Sequence, residues 1–473
     1  MLREHEGTHD GRDGGGPILP RGIRAVALEG HRGSERENPA TEADVAGGIW
    51  ESVHGDTDIA YAMYAGVAEA EVLEPRTVDE ARKQPDWLRW NEAIKAELKS
   101  LDEAHTWDVV PRLPKGTNVV DCKWVFKIKK NSAGEIDKYK AQLVAHGFTQ
   151  VQGVDYYEMY APVARLSSLR LILAIAACYD WDVDVFDFHS AFLNGKLDDD
   201  EVIYMELPPG SNKGGKDLVA LLRVALYGSK QGALKWYQHL CKDFAELGLN
   251  CMEADWGVFV AKIGMHLLIL ASHVDDCTVT GSSRELIKAF KDEIGSQFKI
   301  TDLGPISWLL GMKVIRNRDA CTIAISEQLY IEAILTKYNF ADQKPLSIPM
   351  DPKVQLSRAQ SPQSAADVAT MRQVPFRAAL GSLMYLAMGS RPDIAFVVLT
   401  LAQFTENPGL PHWEALKRVY RYLIGMKSWS LTYGTQTKSL ISYANADGAS
   451  QEHRHAITGY AFLIDGGAIS WSS

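Results

Sequence analysis

The sequence predicts an α+β fold built on an antiparallel sheet. Segments in which apolar residues recur with helical spacing are interspersed, in no regular order, with short runs in which apolar and polar residues alternate as in strands. Several of these runs come in pairs joined by only a few residues, which is typical of β-hairpins. A doubly wound parallel sheet would instead require a helix after nearly every strand, and the predicted strands and helices do not alternate in that way.

The chain begins with a stretch that has no apolar periodicity. Residues 1–45 are rich in Gly, Arg, Glu and His, so we expect a disordered tail. Residues 46–104 are predicted to form a linker that ends in a lead-in helix starting after Pro85 and Asp86. One apolar stripe with steps of three and four supports that helix, formed by Trp87, Trp90, Ile94, Leu98 and Leu101.

A basic β-hairpin is predicted next. Strand-like runs cover Trp107–Val110 and Val119–Lys130, a turn spans Asn131–Gly134, and a return run follows over Tyr139–Gly147. Between residues 121 and 147 there are six lysines and three acids, although the whole chain carries a net charge of −10. The local excess is consistent with a phosphate contact, but lysines that simply face water on a solvated hairpin would give the same pattern.

The remaining elements complete the predicted sheet and its helices. We expect Ser167 and Ser168 to cap a helix that runs through Leu169–Ala176. After residue 345 the pattern is mainly helical as far as Tyr433, and the last forty residues alternate again. Further elements are predicted at Trp181–Phe188 (strand), Gly232–Leu247 (helix), Leu267–Val274 (strand) and Cys277–Thr280 (strand).

Two adjacent acids, Asp275 and Asp276, form the tight turn between two apolar strands. No glycine follows them as it would in an ordinary hairpin turn, and like charges this close are stable mainly when a cation neutralises them. Taken alone, an exposed Asp-Asp turn explains the pair equally well. Asp187 ends the apolar strand Val183–Phe188, and if that strand lay beside the turn, three carboxylates would meet as in two-metal phosphoryl transfer.

Several segments, in a fixed order, resemble the reverse transcriptases of copia-type LTR retrotransposons, from about Glu74 to the end of the chain. They are Thr106–Ala164, FDFHSAFLNGKL from Phe186, ALYGSKQ from Ala225, SHVDDCTVTG from Ser272, and DLGPISWLLGMKV from Asp302. The resemblance implies a right-hand polymerase fold with an antiparallel-sheet palm. Residues 105–348 would be fingers and palm, residues 349–437 helical thumb or connection, and residues 438–473 a truncated RNase H-like start.

The same resemblance implies an RNA-directed DNA polymerase that acts on an RNA or DNA template with a primer and on dNTPs. Asp187 and Asp275 would hold two Mg²⁺ ions, and Asp276 would complete the acidic cluster. An aromatic side chain at Phe192 would lie under the sugar and exclude a 2′-hydroxyl, although Phe192 could also be ordinary core. Lys129 and Lys130 would contact the triphosphate, and the template and nucleotide pocket would be lined by Tyr227, Gly228, Lys230 and Gln231.

Some positions depart from the family pattern. Gln142 stands where an arginine is usual, Ser229 where a leucine is usual, and His273 where a tyrosine is usual. In the RNase H-like segment Asn445 stands where the first metal-binding aspartate is expected, while Asp447 is retained, so we expect no RNase H activity. The alternative function is therefore an inactive retroelement relic that at most binds nucleic acid.

Other classes of protein are disfavoured. No apolar run is long enough to span a membrane and no secretory signal is visible, so we expect an intracellular protein of the cytoplasm or nucleus. The six widely spaced cysteines predict reduced thiols and no zinc site. The stretch GSNKGGKD from Gly210 has the spacing of a phosphate-binding loop, but Asp217 replaces the required Ser or Thr. The oligomeric state is not predictable from these patterns.

Overall fold

A computed structural model describes residues 74–114, 116–130, 136–209, 217–434, 439–447 and 457–472. The predicted tail, the hairpin turn at 131–134 and the Gly-rich stretch at 210–216 lie outside these residues. The described α-helices are α1 (Val78–Lys83), α2 (Trp87–Glu103), α3 (Leu166–Tyr179), α4 (Gly232–Glu246), α5 (Arg284–Gln297), α6 (Gln328–Lys337), α7 (Ala365–Arg372), α8 (Phe376–Gly389), α9 (Ala395–Ala402) and α10 (Leu410–Gly425).

The described strands are combined into five sheets, and every pairing is antiparallel except that of β2 with β6. They are β1 (Trp107–Pro111), β2 (Val119–Val120), β3 (Cys122–Lys130), β4 (Ile136–Ala145), β5 (Asp182–Phe188), β6 (Tyr204–Met205), β7 (Leu218–Leu222), β8 (Asn250–Met252), β9 (Asp255–Ile263), β10 (His266–His273), β11 (Asp276–Gly281), β12 (Ile300–Pro305), β13 (Trp308–Leu309), β14 (Met312–Asn317), β15 (Thr322–Ser326), β16 (Leu431–Tyr433), β17 (Leu440–Asp447), β18 (Ile457–Ile464) and β19 (Gly467–Ser472). The predicted α+β class is confirmed.

A six-stranded sheet in the order β12-β5-β11-β10-β9-β8, which we call the central sheet, positions the candidate site. Its strand β10 buries apolar side chains on both faces, because helices cover both. Leu268 and Leu270 of β10 pack with the core beneath α4 and α5, whereas Ile269 and Ala271 pack with the core beneath α3. Successive side chains of a strand point to opposite faces, so a doubly covered strand becomes a continuous apolar run.

The strands β3 and β4 form a two-stranded sheet, here called the basic hairpin, which packs on helix α2. Trp90 is fully buried there and meets Phe126 edge to face, with ring centroids 5.2 Å apart. The apolar stripe of α2 and the inward residues of the hairpin thus form one core. The helix and hairpin predicted from the sequence are both present, with the return strand beginning at Ile136 rather than Tyr139.

One local prediction, the serine cap of helix α3, is wrong. Helix α3 begins at Leu166 with Arg165 at its N-cap and no side-chain cap, so Ser167 and Ser168 lie inside its first turn. The Arg165 N–H instead donates to the Asp255 carboxylate at 2.9 Å, a tertiary contact that no local pattern reveals. The region after residue 345 is mainly helical as predicted, and only its last residues, Leu431–Tyr433, form a strand that pairs with β15.

The C-terminal sheet β17-β18-β19 contacts the body of the molecule through its last strand. The Arg170 guanidinium of α3 lies 3.9 Å from the ring of Trp471, and it donates to the carbonyls of Ile469 and Met388. A single buried cation therefore joins α3, the end of α8 and β19. Residues beyond 438 share core contacts with the preceding elements.

Across the described ranges, no helix is both long and apolar enough to cross a bilayer. All six cysteines fall within these ranges, and none of them forms a disulfide there.

Candidate functional site

The strands that carry the three predicted carboxylates are neighbours in the central sheet. β5 pairs with β11 in a register that sets Asp187 directly opposite Asp276. The next backbone bond, from the Phe188 N–H to the Asp275 carbonyl, measures 3.0 Å. The pairing therefore brings Asp187, Asp275 and Asp276 together at one end of the sheet, which the sequence could suggest but not establish.

The turn between β10 and β11 positions Asp275. His273 pairs with Asp276, so only Val274 and Asp275 form the turn. Val274 has φ of 61°, in the left-handed region that a type II′ hairpin ordinarily reserves for glycine. Such a conformation costs a β-branched residue on the order of 1–3 kcal/mol. The buried Trp236 holds it, since its indole N–H donates to the Val274 carbonyl at 2.9 Å.

The Asp275 carboxylate is half-buried and incompletely satisfied. Oδ2 accepts a long hydrogen bond of 3.4 Å from the Tyr227 hydroxyl, while Oδ1 is buried and accepts none from the described residues. Burial raises the pKa of Asp275 to about 6, the Asp187 carboxylate adds to the effect, and the Lys140 ammonium opposes it. A cation at this point would supply the missing partner and relieve the repulsion.

Within the described ranges, however, no three His, Cys, Asp or Glu side chains are grouped tightly enough to hold a metal ion as they stand. The backbone register brings the carboxylates to one place, but metal coordination would require their side chains to rotate toward a common point.

Phe192 and Tyr227 form a wall beside Asp275. Phe192 lies in a 3-10 helix, Ala191–Asn194, that directly follows β5, and its ring meets Tyr227 edge to face at 4.6 Å. Both side chains are half-buried. Burial, reinforced by the Asp275 carboxylate, raises the pKa of Tyr227, so its hydroxyl stays protonated and donates. Phe192 thus has one flank in contact with protein and part of its surface open.

The loop after Tyr227 is fastened to the end of β4. The Ala145 N–H donates to the Tyr227 carbonyl at 2.7 Å, and the Gly147 N–H donates to the Gly228 carbonyl at 3.1 Å. Gly228 has φ of +81°, and a Cβ there would lie 2.4 Å from the Ala145 oxygen. Only glycine fits. Ser229 turns inward, and its hydroxyl donates to the Leu226 carbonyl at 2.6 Å.

Gln231 was predicted to line a pocket, but its side chain is fully buried. Its amide oxygen accepts from the Gln150 amide at 3.1 Å, and its amide nitrogen donates to the Asp155 carbonyl at 2.8 Å. Gln150 in turn accepts the Lys230 N–H. In this structure Gln231 therefore holds the segment after β4 in place, while the half-buried Lys230 remains at the surface.

The basic hairpin contributes a lysine that sequence reasoning did not single out. Lys129 and Lys130 lie at the end of β3, and their side chains are outside the description, although Lys129 pairs with Lys138 on β4. Lys140, two residues further along β4, is near enough to Asp275 to oppose the rise in its pKa. Strand alternation could have identified Lys138 and Lys140 as sharing a face, but not which face meets the carboxylates.

The residues of the segments that depart from the family pattern do not all lie at the candidate site. His273 is half-buried beside Asp276, its Nδ1 has no hydrogen-bond partner among the described residues, and burial lowers its pKa. Gln142 lies on β4 opposite Val125. Asn445 is exposed on β17, far along the chain, and Asp447 ends that strand with its side chain outside the description.

The pairing of β5 with β11 thus gathers three carboxylates at one end of the central sheet, and the Lys140 ammonium of the basic hairpin acts on the charge of Asp275. The family model described as reverse transcriptase (RNA-dependent DNA polymerase) matches residues 104–352, more than half of the chain, and the chain belongs to that family. Its copia-type retrotransposon character, predicted from the sequence motifs, is confirmed by the curated relatives.

Among those relatives, the retrovirus-related Pol polyprotein from transposon TNT 1-94 of Nicotiana tabacum is 37% identical over 403 residues, which is 85% of this chain and 30% of that polyprotein. The Pol polyprotein from transposon RE1 of Arabidopsis thaliana is 35% identical over 86% of this chain and 27% of its own length. The chain thus spans less than a third of the relatives it matches.

A solved structure of a foamy viral protease–reverse transcriptase in complex with double-stranded DNA superposes on 80% of this chain and 55% of its own. The TM-score is 0.42 at 10% identity, a level that does not by itself establish a shared fold.

Proposed function

We propose that this chain is an RNA-directed DNA polymerase that transfers a nucleotide from a dNTP to a primer 3′-hydroxyl. The central sheet would be the palm of a right-hand fold, the basic hairpin its fingers, and the helices α8 to α10 its thumb or connection. The observation that carries the proposal is the pairing of Asp187 with Asp276 beside the buried, unsatisfied Oδ1 of Asp275.

Two Mg²⁺ ions are the cofactor we propose, held by Asp187, Asp275 and Asp276. When bound, they would supply Lewis acidity for the attacking hydroxyl and the departing pyrophosphate. The residues fit this role in charge and donor type, because hard oxygen ligands suit Mg²⁺ and the buried Oδ1 of Asp275 has no hydrogen-bond partner among the described residues. The Tyr227 hydroxyl keeps Asp275 oriented, and the Trp236 contact fixes the turn that carries it.

The nucleotide would lie between the carboxylates and the basic hairpin. The Lys140 ammonium opposes the rise in the pKa of Asp275. We propose that Lys140 contacts the triphosphate together with Lys129 and Lys130. The wall formed by Phe192 and Tyr227 would support the sugar and exclude a 2′-hydroxyl. This arrangement would favour dNTPs over ribonucleotides.

The unpaired template strand would lie along residues 148–163, which join the basic hairpin to α3. This segment exposes large apolar side chains, with Phe148 at 77% and Tyr160 at 79% exposure. It is tied to the Lys230 loop through Gln150 and to the sheet through the Ala164 N–H, which donates to the Ser272 carbonyl. Exposed aromatic rings suit base stacking on single-stranded nucleic acid.

A primer-extension assay tests the proposal. The full chain should extend a primed poly(rA) template with dTTP and Mg²⁺, and Asp275→Ala should abolish extension. The control is Asp319→Ala, which removes an exposed acid from the turn between β14 and β15 and should leave extension unchanged. Absence of extension by the unmutated chain would show that the chain is not a competent polymerase.

The second candidate is a relic that binds primer–template without extending it. The half-buried His273 with its unpartnered Nδ1, beside Asp276, favours this candidate, as does the neutral Gln142 on the basic hairpin. Salt-dependent binding of primer–template, without extension, would support it. For the C-terminal strands we propose no RNase H activity, because Asn445 is neutral; uncleaved RNA in an RNA–DNA hybrid is the expected result.

A further inference from the structure

Both outer edges of the basic hairpin are closed by carboxylates from the residues that precede it. A two-stranded sheet leaves one row of N–H groups unpaired on each outer side. On β3 the Ile128 N–H donates to the Glu74 carboxylate at 2.9 Å, and on β4 the Leu143 N–H donates to the Glu97 carboxylate at 3.2 Å. The hairpin is therefore held from both sides by one short upstream segment.

Glu74 combines its backbone contact with an ion pair. Its second oxygen accepts from the Lys127 ammonium at 2.8 Å, and the Glu74 side chain is only 8% exposed. Glu74 thus fixes both the backbone of β3 and the direction of a lysine beside it. This side of the hairpin is the strand that leads to Lys129 and Lys130.

Glu97 of helix α2 fixes the backbone of β4 in the same way, by accepting the Leu143 N–H. The helix is locked against the strand by Trp90, which meets Tyr139 edge to face at 4.6 Å. Burial raises the pKa of Glu97, while the Leu143 N–H and the Lys140 ammonium oppose this rise. Glu97 therefore contacts β4 at Leu143, three residues along the strand from Lys140.

We propose that Glu97 is a positioning residue of the polymerase: it fixes the edge of β4, the strand that carries Lys140 and whose end is hydrogen-bonded to the Tyr227 loop of the carboxylate site. This rests on the proposed function. Residues 74–103, which precede the matched reverse transcriptase domain, would support the nucleotide site through these contacts with the basic hairpin. Glu97 touches neither nucleotide nor metal; it acts through β4 and Lys140.

Steady-state primer extension with Glu97→Ala, Glu97→Gln and the control Glu92→Ala tests this role. Glu92 is exposed on the same helix, so its variant should match the unmutated chain. For Glu97→Ala we expect the KM for dTTP to rise about tenfold, as loss of one charge-assisted hydrogen bond implies, with kcat within about twofold. Glu97→Gln should recover part of the loss, because its amide oxygen still accepts the Leu143 N–H.

A double-mutant cycle with Lys140→Ala separates positioning from general damage. If Glu97 acts through Lys140, the KM increase of either Glu97 variant should largely disappear in the Lys140→Ala background. Additive effects in the cycle, or a fall in kcat without a change in KM, would contradict the proposal. If Glu97→Ala does not fold, the Glu97→Gln cycle alone gives the same decision.

Amide hydrogen exchange gives a readout that needs no activity. Exchange at Leu143 should accelerate at least about tenfold in Glu97→Ala and stay unchanged in Glu92→Ala, because only the former loses the acceptor. If the unmutated chain does not extend primers, the proposed function fails. In that case the edge contact is still decided by this exchange and by dTTP binding to the Glu97 variants, and unchanged values in both would overturn it.

Discussion

Asp187 and Asp276 face each other across the β5–β11 pair of the central sheet. They come from segments far apart in the chain, and their register is fixed because the flanking residues Phe186 and Cys277 are buried between the sheet and its helices. A slip of one residue would turn those apolar side chains to the opposite face. The register that buries the core therefore also assembles the acidic site.

The acidic site should make stability depend on pH in the absence of metal. Asp275 has a pKa raised from 3.8 to about 6, so the folded state binds its proton more tightly than the unfolded state. Stability should fall as pH rises through this window and then level off above it. Asp275→Asn should remove that fall and stabilise the metal-free chain by about 1–2 kcal/mol at pH 8.

Urea unfolding at several pH values, with and without Mg²⁺, measures this effect. Mg²⁺ should stabilise the unmutated chain above pH 6 and do less for Asp275→Asn. A difference between the two proteins that does not change from pH 4 to pH 8 would contradict the raised pKa.

Phe192 should determine the choice between dNTPs and ribonucleotides. Phe192→Val removes the ring that packs on Tyr227 and opens space beside the site. We expect the ratio of kcat/KM for dTTP over UTP to fall at least about tenfold, since an uncharged steric contact of this size is worth 1–3 kcal/mol.

The matched control is Phe259→Leu, a buried aromatic substitution in the core beneath α4 and α5. It should lower stability and leave the nucleotide ratio unchanged. If Phe192→Val loses stability alone, Phe192 is ordinary core.

Gly228→Ala should damage the loop that joins the site to β4. The substitution combines a left-handed backbone with a Cβ placed 2.4 Å from the Ala145 oxygen. The control Gly264→Ala has φ of +63° but nothing within 4 Å, so it isolates the backbone cost. We expect about 1 kcal/mol of destabilisation for Gly264→Ala and at least about 3 kcal/mol for Gly228→Ala.

Denaturant unfolding of both glycine variants checks this difference. Equal losses would mean that the β4 end moves freely to accommodate the new methyl group.

Phe148 and Tyr160 should bind bases through their exposed rings. The double variant Phe148→Ala/Tyr160→Ala should weaken binding of a single-stranded template overhang by at least about tenfold, since base stacking is worth ~1–3 kcal/mol per base. The dependence of affinity on salt should not change, because no phosphate contact is lost.

Fluorescence anisotropy with an overhanging and a blunt primer–template distinguishes binding of the unpaired template from binding of the duplex. The control is Trp429→Ala, which removes another exposed aromatic side chain, located after α10. This variant should bind both substrates normally. A steeper or shallower salt slope in the double variant would indicate that the segment acts by charge instead.

Patterns within short segments were enough to predict much of the fold. The stripe that begins at Trp87 predicts α2, alternation predicts the basic hairpin, and the apolar runs around Asp275 and Asp276 predict β10 and β11. These features follow from the fixed periods of helices and strands, so they are visible in one segment at a time. The ordered motifs likewise predicted the family, which the comparisons confirm.

Other predictions failed where a tertiary contact replaced a local one. Serines near a helix start ordinarily cap it, but at α3 the Asp255 carboxylate takes the N-cap N–H and the serines fall inside the helix. Gln231 was predicted to line the pocket because it follows Lys230 in a surface-loop motif, yet its amide is sealed between Gln150 and Asp155.

The sequence by itself determined the class of the fold, the family and the presence of Asp187, Asp275 and Asp276 at strand ends. Only the tertiary structure decided that β5 lies beside β11, that the Lys140 ammonium acts on the charge of Asp275, and that Glu97 accepts a hydrogen bond from the edge of β4. Periodicity is a property of consecutive residues, whereas strand neighbours and facing charges are selected by which packing buries both faces of a sheet at once.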